Sequence, residues 1–108
     1  MFGDIGRLMK LAGEMKRKMP EMKARLESSR FTAAAGGGVV TAVVNGKGIL
    51  ADLKIDKSLL SGAQADAEML EDLVKAAVSA AQAKATAAAD EAMKELTGGM
   101  DLPPGLGL

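Results

Sequence analysis

The sequence predicts an α+β chain: a long N-terminal helix, a three-stranded antiparallel sheet and a long C-terminal helix. Three observations lead there. Apolar residues recur every three or four positions over residues 4–29, glycine-punctuated β-branched segments fill residues 30–60, and an alanine-dense stretch runs from Asp66 to Thr97. A length of 108 residues points to one domain with a core of modest size. That unit is expected over residues 1–97, with 98–108 as a flexible tail. Aromatic residues make up 2% of the chain, Phe2 and Phe31 alone, so the core has to be aliphatic and rich in methionine and alanine.

In the first helix, Ile5, Leu8, Ala12, Met15, Met19, Met22 and Leu26 step alternately by three and four residues, which is a heptad seam. Glu14–Lys18 and Glu21–Arg25 stand four residues apart with the acid first, the favourable order on a helix surface. Pro20 falls off the seam. It has no N–H to bond the Lys16 carbonyl, so a kink is expected between Lys16 and Pro20.

Over residues 30–60, Gly36-Gly37-Gly38 and then Asn45-Gly46 separate three short runs. Asn-Gly between β-branched residues signals a hairpin with a type I′ turn, because both central residues need positive φ. If Val44 and Lys47 flank that turn, Val40, Ala42 and Val44 share a face with Ile49 and Ala51, continued by Leu53 and Ile55. Val39, Val43 and Leu50 then fall on the opposite face, where a solvated sheet should be polar. The surplus of apolar residues there implies a second layer or a partner subunit.

A loop containing Ser61-Gly62 leads to the second helix. Asp66 is its expected N-cap, and Glu68, Glu71 and Asp72 suit the positive end of the helix dipole. Leu70, Leu73, Val74, Ala77, Ala81, Ala88, Ala92 and Leu96 lie on one stripe. Ten of the residues from Ala76 to Ala92 are alanine, which favours helix and permits close backbone approach. Gly98-Gly99 is expected to stop the helix before the "MDLPPGLGL" tail.

The formal net charge is zero, but it is unevenly spread. Residues 1–30 hold Arg7, Lys10, Lys16, Arg17, Lys18, Lys23, Arg25 and Arg30 against Asp4, Glu14, Glu21 and Glu27, and the remainder is acidic. With Ile5 at heptad position a, Lys16 and Lys23 fall at e, Lys18 and Arg25 at g, and Lys10 and Arg17 at f. Like charges at e and g oppose a parallel self-pairing of this helix. The seam is therefore expected to pack on the chain's own second helix or sheet. The flanking cations then have two readings: stems that cover the seam edges with heads in water, or contacts to phosphate.

Several chemistries are excluded. The chain has no Cys and no His, hence no disulfide, no Cys- or His-ligated zinc and no His-based triad. No apolar run approaches the ~20 residues that span a bilayer, and no signal-peptide core precedes the first helix, so a cytoplasmic location is expected. Residues 45–48, Asn-Gly-Lys-Gly, lack the remainder of a phosphate-loop pattern and read as a turn. The carboxylates at 68, 71, 72, 90, 91 and 95 sit near helix ends without a converging set and read as solvated surface. No catalytic group, metal site, cofactor or small-molecule substrate is implied. A membrane-surface helix would want Trp or Phe at the interface, which the first helix lacks over its Met, Ala and Leu face.

The start "MFGDIGRLMKLAGEMKRKM", the hairpin "GGGVVTAVVNGKGILADLKID", the helix entry "SLL … AEMLEDLVKAA" and the ending "GGMDLPPG" follow one another across nearly the whole chain. In this order they resemble the YbaB/EbfC family of bacterial nucleoid-associated DNA-binding proteins. The resemblance implies a tweezer-like homodimer whose sheets associate and whose long helices project as arms. It also implies sequence-tolerant binding of double-stranded DNA in the nucleoid, without enzymatic activity. Pro20 and the sparsely charged, alanine-rich end of the last helix depart from the family pattern.

On that basis the expected phosphate contacts are Lys16, Arg17, Lys18, Lys23 and Arg25, extended by Arg7, Lys10 and Arg30. The expected dimer interface is Val39, Val43 and Leu50. Base readout of the adenine type is disfavoured because the basic helix holds no Asn or Gln. Single strands lack a stacking platform. The competing class is a coiled-coil-like interaction scaffold, in which the seam and its basic flanks meet an acidic protein in place of DNA.

Overall fold

The computed structural model describes residues 2–61 and 66–97. In chain order it holds α1 (Phe2–Ser28), β1 (Phe31–Ala35), β2 (Val40–Val44), β3 (Leu50–Ile55), a 3₁₀ turn (Lys57–Leu60) and α2 (Ala67–Thr97). The expected order of helix, three strands and helix is the observed one. Gly62, Gly98-Gly99 and the 98–108 tail, singled out in the sequence, lie outside the described residues.

α1 continues without interruption through Pro20, which stands on an exposed face where only the ladder bond to the preceding turn is lost. α2 begins where the sequence placed it. The Asp66 carboxylate accepts from the backbone N–H of Glu68 at 3.0 Å and of Met69 at 3.4 Å, satisfying two donors that the first turn leaves open. A similar device starts the 3₁₀ turn. Asp56 accepts from the Ser58 N–H at 2.9 Å, and that backbone bond holds the Asp56 carboxyl below its ordinary value.

The sheet has the order β1-β2-β3, antiparallel throughout. Val40, Ala42 and Val44 alternate inward along β2 and are fully buried, with Ala33 of β1 beside them. α2 lies across this face through Ala77, Ala81 and Ala85, one turn apart and all but completely buried. Ala85 completes the stripe expected from the sequence. Alanine on both sides lets helix and sheet approach closely, so the core is thin, and among the described residues its largest fully buried side chains are Val40 and Val44.

The β2–β3 connection differs from the expected type I′ turn. Neither Asn45 nor Gly46 has positive φ, whereas Gly48 has φ 80. The Gly48 N–H donates to the Asn45 carbonyl at 2.9 Å, and the Asn45 N–H donates to the Ile49 carbonyl at 2.9 Å. This is a three-residue loop closed by a left-handed glycine. The Asn45 side chain fixes it by accepting from the N–H groups of Lys47 at 2.9 Å and Ile49 at 3.0 Å. The longer loop moves the register: Val40 faces Ile55, Ala42 faces Leu53, and an irregularity at Val43/Val44 pairs Val44 with Leu50. Leu53 and Ile55 therefore keep their expected side. Ile49 and Ala51 are exposed rather than covered.

Gly46 serves a second purpose. Its N–H donates to the Leu26 carbonyl of α1 at 2.7 Å, and a Cβ there would lie 2.3 Å from that oxygen. The glycine is selected for close approach of hairpin to helix, not for φ.

Of the three residues assigned to the opposite sheet face, Val43 is half-buried and alternates with the inward side chains of β2. Leu50 is 45% exposed. Val39 is different: it stands in the β1–β2 turn and packs against the α2-covered core. The turn runs through Gly36, Gly37 and Gly38 with φ 64, 74 and 99, and folds Val39 towards Leu73.

Among the described residues, the hollows and the backbone bond that join α1 to the rest of the chain lie in its C-terminal half. Met22 is 4% exposed and Leu26 is half-buried, lining hollows with α2 and the hairpin tip, and Met15 and Met19 are half-buried too. The seam was expected to pack on the second helix or the sheet, but its Ile5 and Leu8 are 55% and 56% exposed, Ala12 is exposed too, and Met9 beside them is 71% exposed. The molecule accordingly measures 72 × 22 × 18 Å.

Candidate nucleic-acid interface

All eight basic residues of the first thirty positions are exposed. Arg30 is tied to the end of α1, donating from Nη1 to the carbonyls of Glu27 at 3.2 Å and Ser29 at 3.0 Å. The side chains of Arg7, Lys10, Lys16, Arg17, Lys18, Lys23 and Arg25 make no hydrogen bond or ion pair with the described residues. Glu14–Lys18 and Glu21–Arg25 keep their helical spacing without closing to 4 Å. The cations are thus held on one rigid rod, with their heads available to a ligand.

The fold divides them. Lys23 lines a shallow hollow with Met22, Leu26, Gly46, Lys47 and Ala89. Across the seam, Lys18 and Arg25 line a hollow with Ala92 and Glu95 of α2, and Arg25 lines a second one with Glu91, Ala92 and Glu95. Sequence reading took Lys47 only as part of a turn. The Gly46–Leu26 hydrogen bond brings it beside Lys23, and it pairs loosely with Glu27 at 3.6 Å. The Asn-Gly-Lys-Gly spelling shows a lysine at a hairpin tip, but not that the tip docks on α1.

Two polar side chains of α2 are used to hold the sheet and its loop. Lys84 Nζ donates to the Thr32 carbonyl on edge strand β1 at 2.7 Å. Gln82 Nε2 reaches the Gly48 carbonyl at 3.0 Å, pinning the loop from the α2 side. Among the described residues no three acidic side chains come together to hold a metal ion, and no helix is long and apolar enough to cross a membrane.

A small α+β unit whose N-terminal helix carries a row of exposed cations is the class that the fold and this surface define. The comparisons with known proteins name the class more closely. The model of the YbaB/EbfC DNA-binding family matches residues 1–100, and the chain belongs to that family. It is 45% identical over 105 residues to a nucleoid-associated protein of Gluconobacter oxydans, covering 97% of this chain and 96% of the relative. A nucleoid-associated protein of Maricaulis maris is 42% identical over 103 residues, covering 95% and 94%. Among solved structures, an uncharacterized protein of Helicobacter pylori superposes with a TM-score of 0.61 at 30% identity, covering 84% of this chain and 99% of that one.

Proposed function

We propose that this chain is a non-enzymatic, nucleoid-associated protein of the bacterial cytoplasm that binds double-stranded DNA as a homodimer, largely without regard to sequence. The observation that supports it most is the row of exposed, unpartnered cations on α1. Lys16, Arg17, Lys18, Lys23 and Arg25 are the main candidates for phosphate, with Arg7 and Lys10 towards the tip of the arm and Arg30 at its base. Phosphate contact of this kind positions a duplex without reading it, and α1 offers no Asn or Gln for adenine. If four to six cations per dimer meet phosphate, log K falls with log[salt] at a slope of about −3.5 to −5.5.

Val43 and Leu50, apolar and incompletely covered within one chain, are the proposed contacts between subunits. Val43→Lys should lower the sedimentation mass from dimer to monomer; an unchanged mass rules that interface out. The DNA assignment is tested by gel shift on two unrelated duplexes at two salt concentrations. Comparable shifts on both, lost at high salt and lost in Lys16→Glu/Arg17→Glu/Lys18→Glu, are expected. Unchanged affinity in the triple variant defeats the reading.

One observation favours a second reading, a protein-interaction scaffold: Ile5, Leu8 and Met9 leave apolar surface open on α1. A scaffold would show little duplex binding even at low salt.

A further inference from the structure

The seam of α1 has two edges, and the fold makes them electrostatically unlike. Along one edge, Lys16 and Lys23 stand two turns apart on the same flank, and the hairpin tip adds Lys47 beside Lys23. Along the other, Lys18 and Arg25 share a hollow with Glu21 and Glu95, and Arg25 lines a second one with Glu91 and Glu95. Ala88, Ala92 and Glu95 share one flank of α2 at helical spacing, which is what turns Glu95 towards Arg25. Asp90 lines a hollow with Lys47, so the lysine edge sets three lysines against Glu27 and Asp90, whereas the other edge sets two cations against Glu21, Glu91 and Glu95.

We propose that a duplex is taken along the lysine edge of the arm, by Lys16, Lys23 and Lys47, and that Glu91 and Glu95 keep phosphate away from the Lys18–Arg25 edge. This rests on the reading of the chain as a duplex-binding protein and gives that reading a side. Lys47 becomes a phosphate contact, and two carboxylates become determinants of where DNA lies.

The physical basis is short-range. Lys16 and Lys23, seven residues apart, are separated by about 10 Å along the helix axis, so they address separate phosphates of one strand. A phosphate approaching Lys18 or Arg25 comes within a Debye length, about 10 Å at 0.1 M salt, of two carboxylates that offset the attraction. Lys47 shares a hollow with Asp90 and is paired with Glu27, the side chains of that pair being 48% and 60% exposed. Such a pair holds a lysine weakly, and a phosphate can replace it. The hairpin tip is not loose, because the Gly46 N–H to Leu26 carbonyl bond fixes it to α1. Lys47 is thereby presented at a set position relative to Lys23.

Three double variants of the full chain separate the edges: Lys23→Gln/Lys47→Gln, Lys18→Gln/Arg25→Gln and Glu91→Gln/Glu95→Gln. Each replaces a charge at an exposed position by an amide, and circular dichroism with sedimentation checks fold and assembly. Binding to a random-sequence duplex is read by fluorescence anisotropy across a salt series. The lysine-edge variant should lose about tenfold in affinity and about two from the salt slope per protomer. The Lys18/Arg25 variant should change by less than about twofold, and the Glu91/Glu95 variant should bind more tightly at low salt. Equal losses from the two cationic variants overturn the assignment of an edge while leaving duplex binding in place. If the unaltered chain gives no salt-sensitive binding, the underlying reading falls instead.

Discussion

The two halves of α1 carry one sequence pattern and meet different surroundings. From Met15 to Leu26 the seam is half-buried or buried, with α2 and the hairpin tip beside Met22 and Leu26; from Ile5 to Ala12 the same spacing faces solvent. A heptad repeat states which face of a helix is apolar. It does not state what lies opposite, because that depends on where the connected elements end. The described part of α2 reaches the level of Met22 and Lys18 at Glu95 and Leu96, and the seam outruns it.

The largest expected effect tests the anchor of the covered half. Gly46→Ala places a Cβ against the Leu26 carbonyl and should cost about 3 kcal/mol, read as a lower urea midpoint. A near-neutral result would mean that the hairpin is not held tightly to α1.

Next comes the contrast itself. Met22→Ala should lose about 2–3 kcal/mol, as buried large-to-small changes do. Leu8→Ala should stay within about 0.5 kcal/mol. Comparable losses from both would reveal a partner subunit over the exposed half and erase the distinction.

Pro20 stands between the halves. Pro20→Ala restores one ladder bond and relieves the ring's crowding of the preceding turn, so a gain of about 1–2 kcal/mol is expected in thermal unfolding. Measuring DNA affinity in the same variant separates a tolerated proline from one that aims the arm: only the second loses binding.

The smallest effect lies outside the arm and marks the floor of the series. The Ser58 N–H holds the Asp56 carboxyl below its ordinary value in the folded chain. Its contribution is complete above the ordinary value and is lost as pH falls through the lowered, folded one. Asp56→Asn should therefore show a flatter dependence of thermal midpoint on pH across the acid range, and no difference near neutrality.

Much of this fold was legible because local signals agreed. Asp66 before an alanine-rich stretch specified a capped helix, and the β-branched runs around glycines specified three strands. The hairpin register was misread, since Asn-Gly suits two turn types. The choice went to the loop whose Gly46 packs on Leu26, a contact between residues twenty apart. Val39 was misplaced for a related reason: period-two alternation holds within a strand and fails in the glycine turn beside it. The heptad set Lys16 and Lys23 on one edge and Lys18 and Arg25 on the other, but which edge meets the carboxylates of α2 was not legible. It follows from α2 lying against the seam with Glu91 and Glu95 on one side, and periodicity within α1 carries no information about that.

The Gly46–Leu26 hydrogen bond can also be considered mechanically. It clamps α1 near one end, and about 32 Å of helix lies between Leu26 and Ile5 at 1.5 Å per residue. A tilt of about 10° at the clamp would carry the Ile5 end through about 5 Å, comparable to one helical turn. The arm is a lever with its fulcrum at the hairpin tip. The span between two such arms would then be governed by a glycine that never touches what they hold.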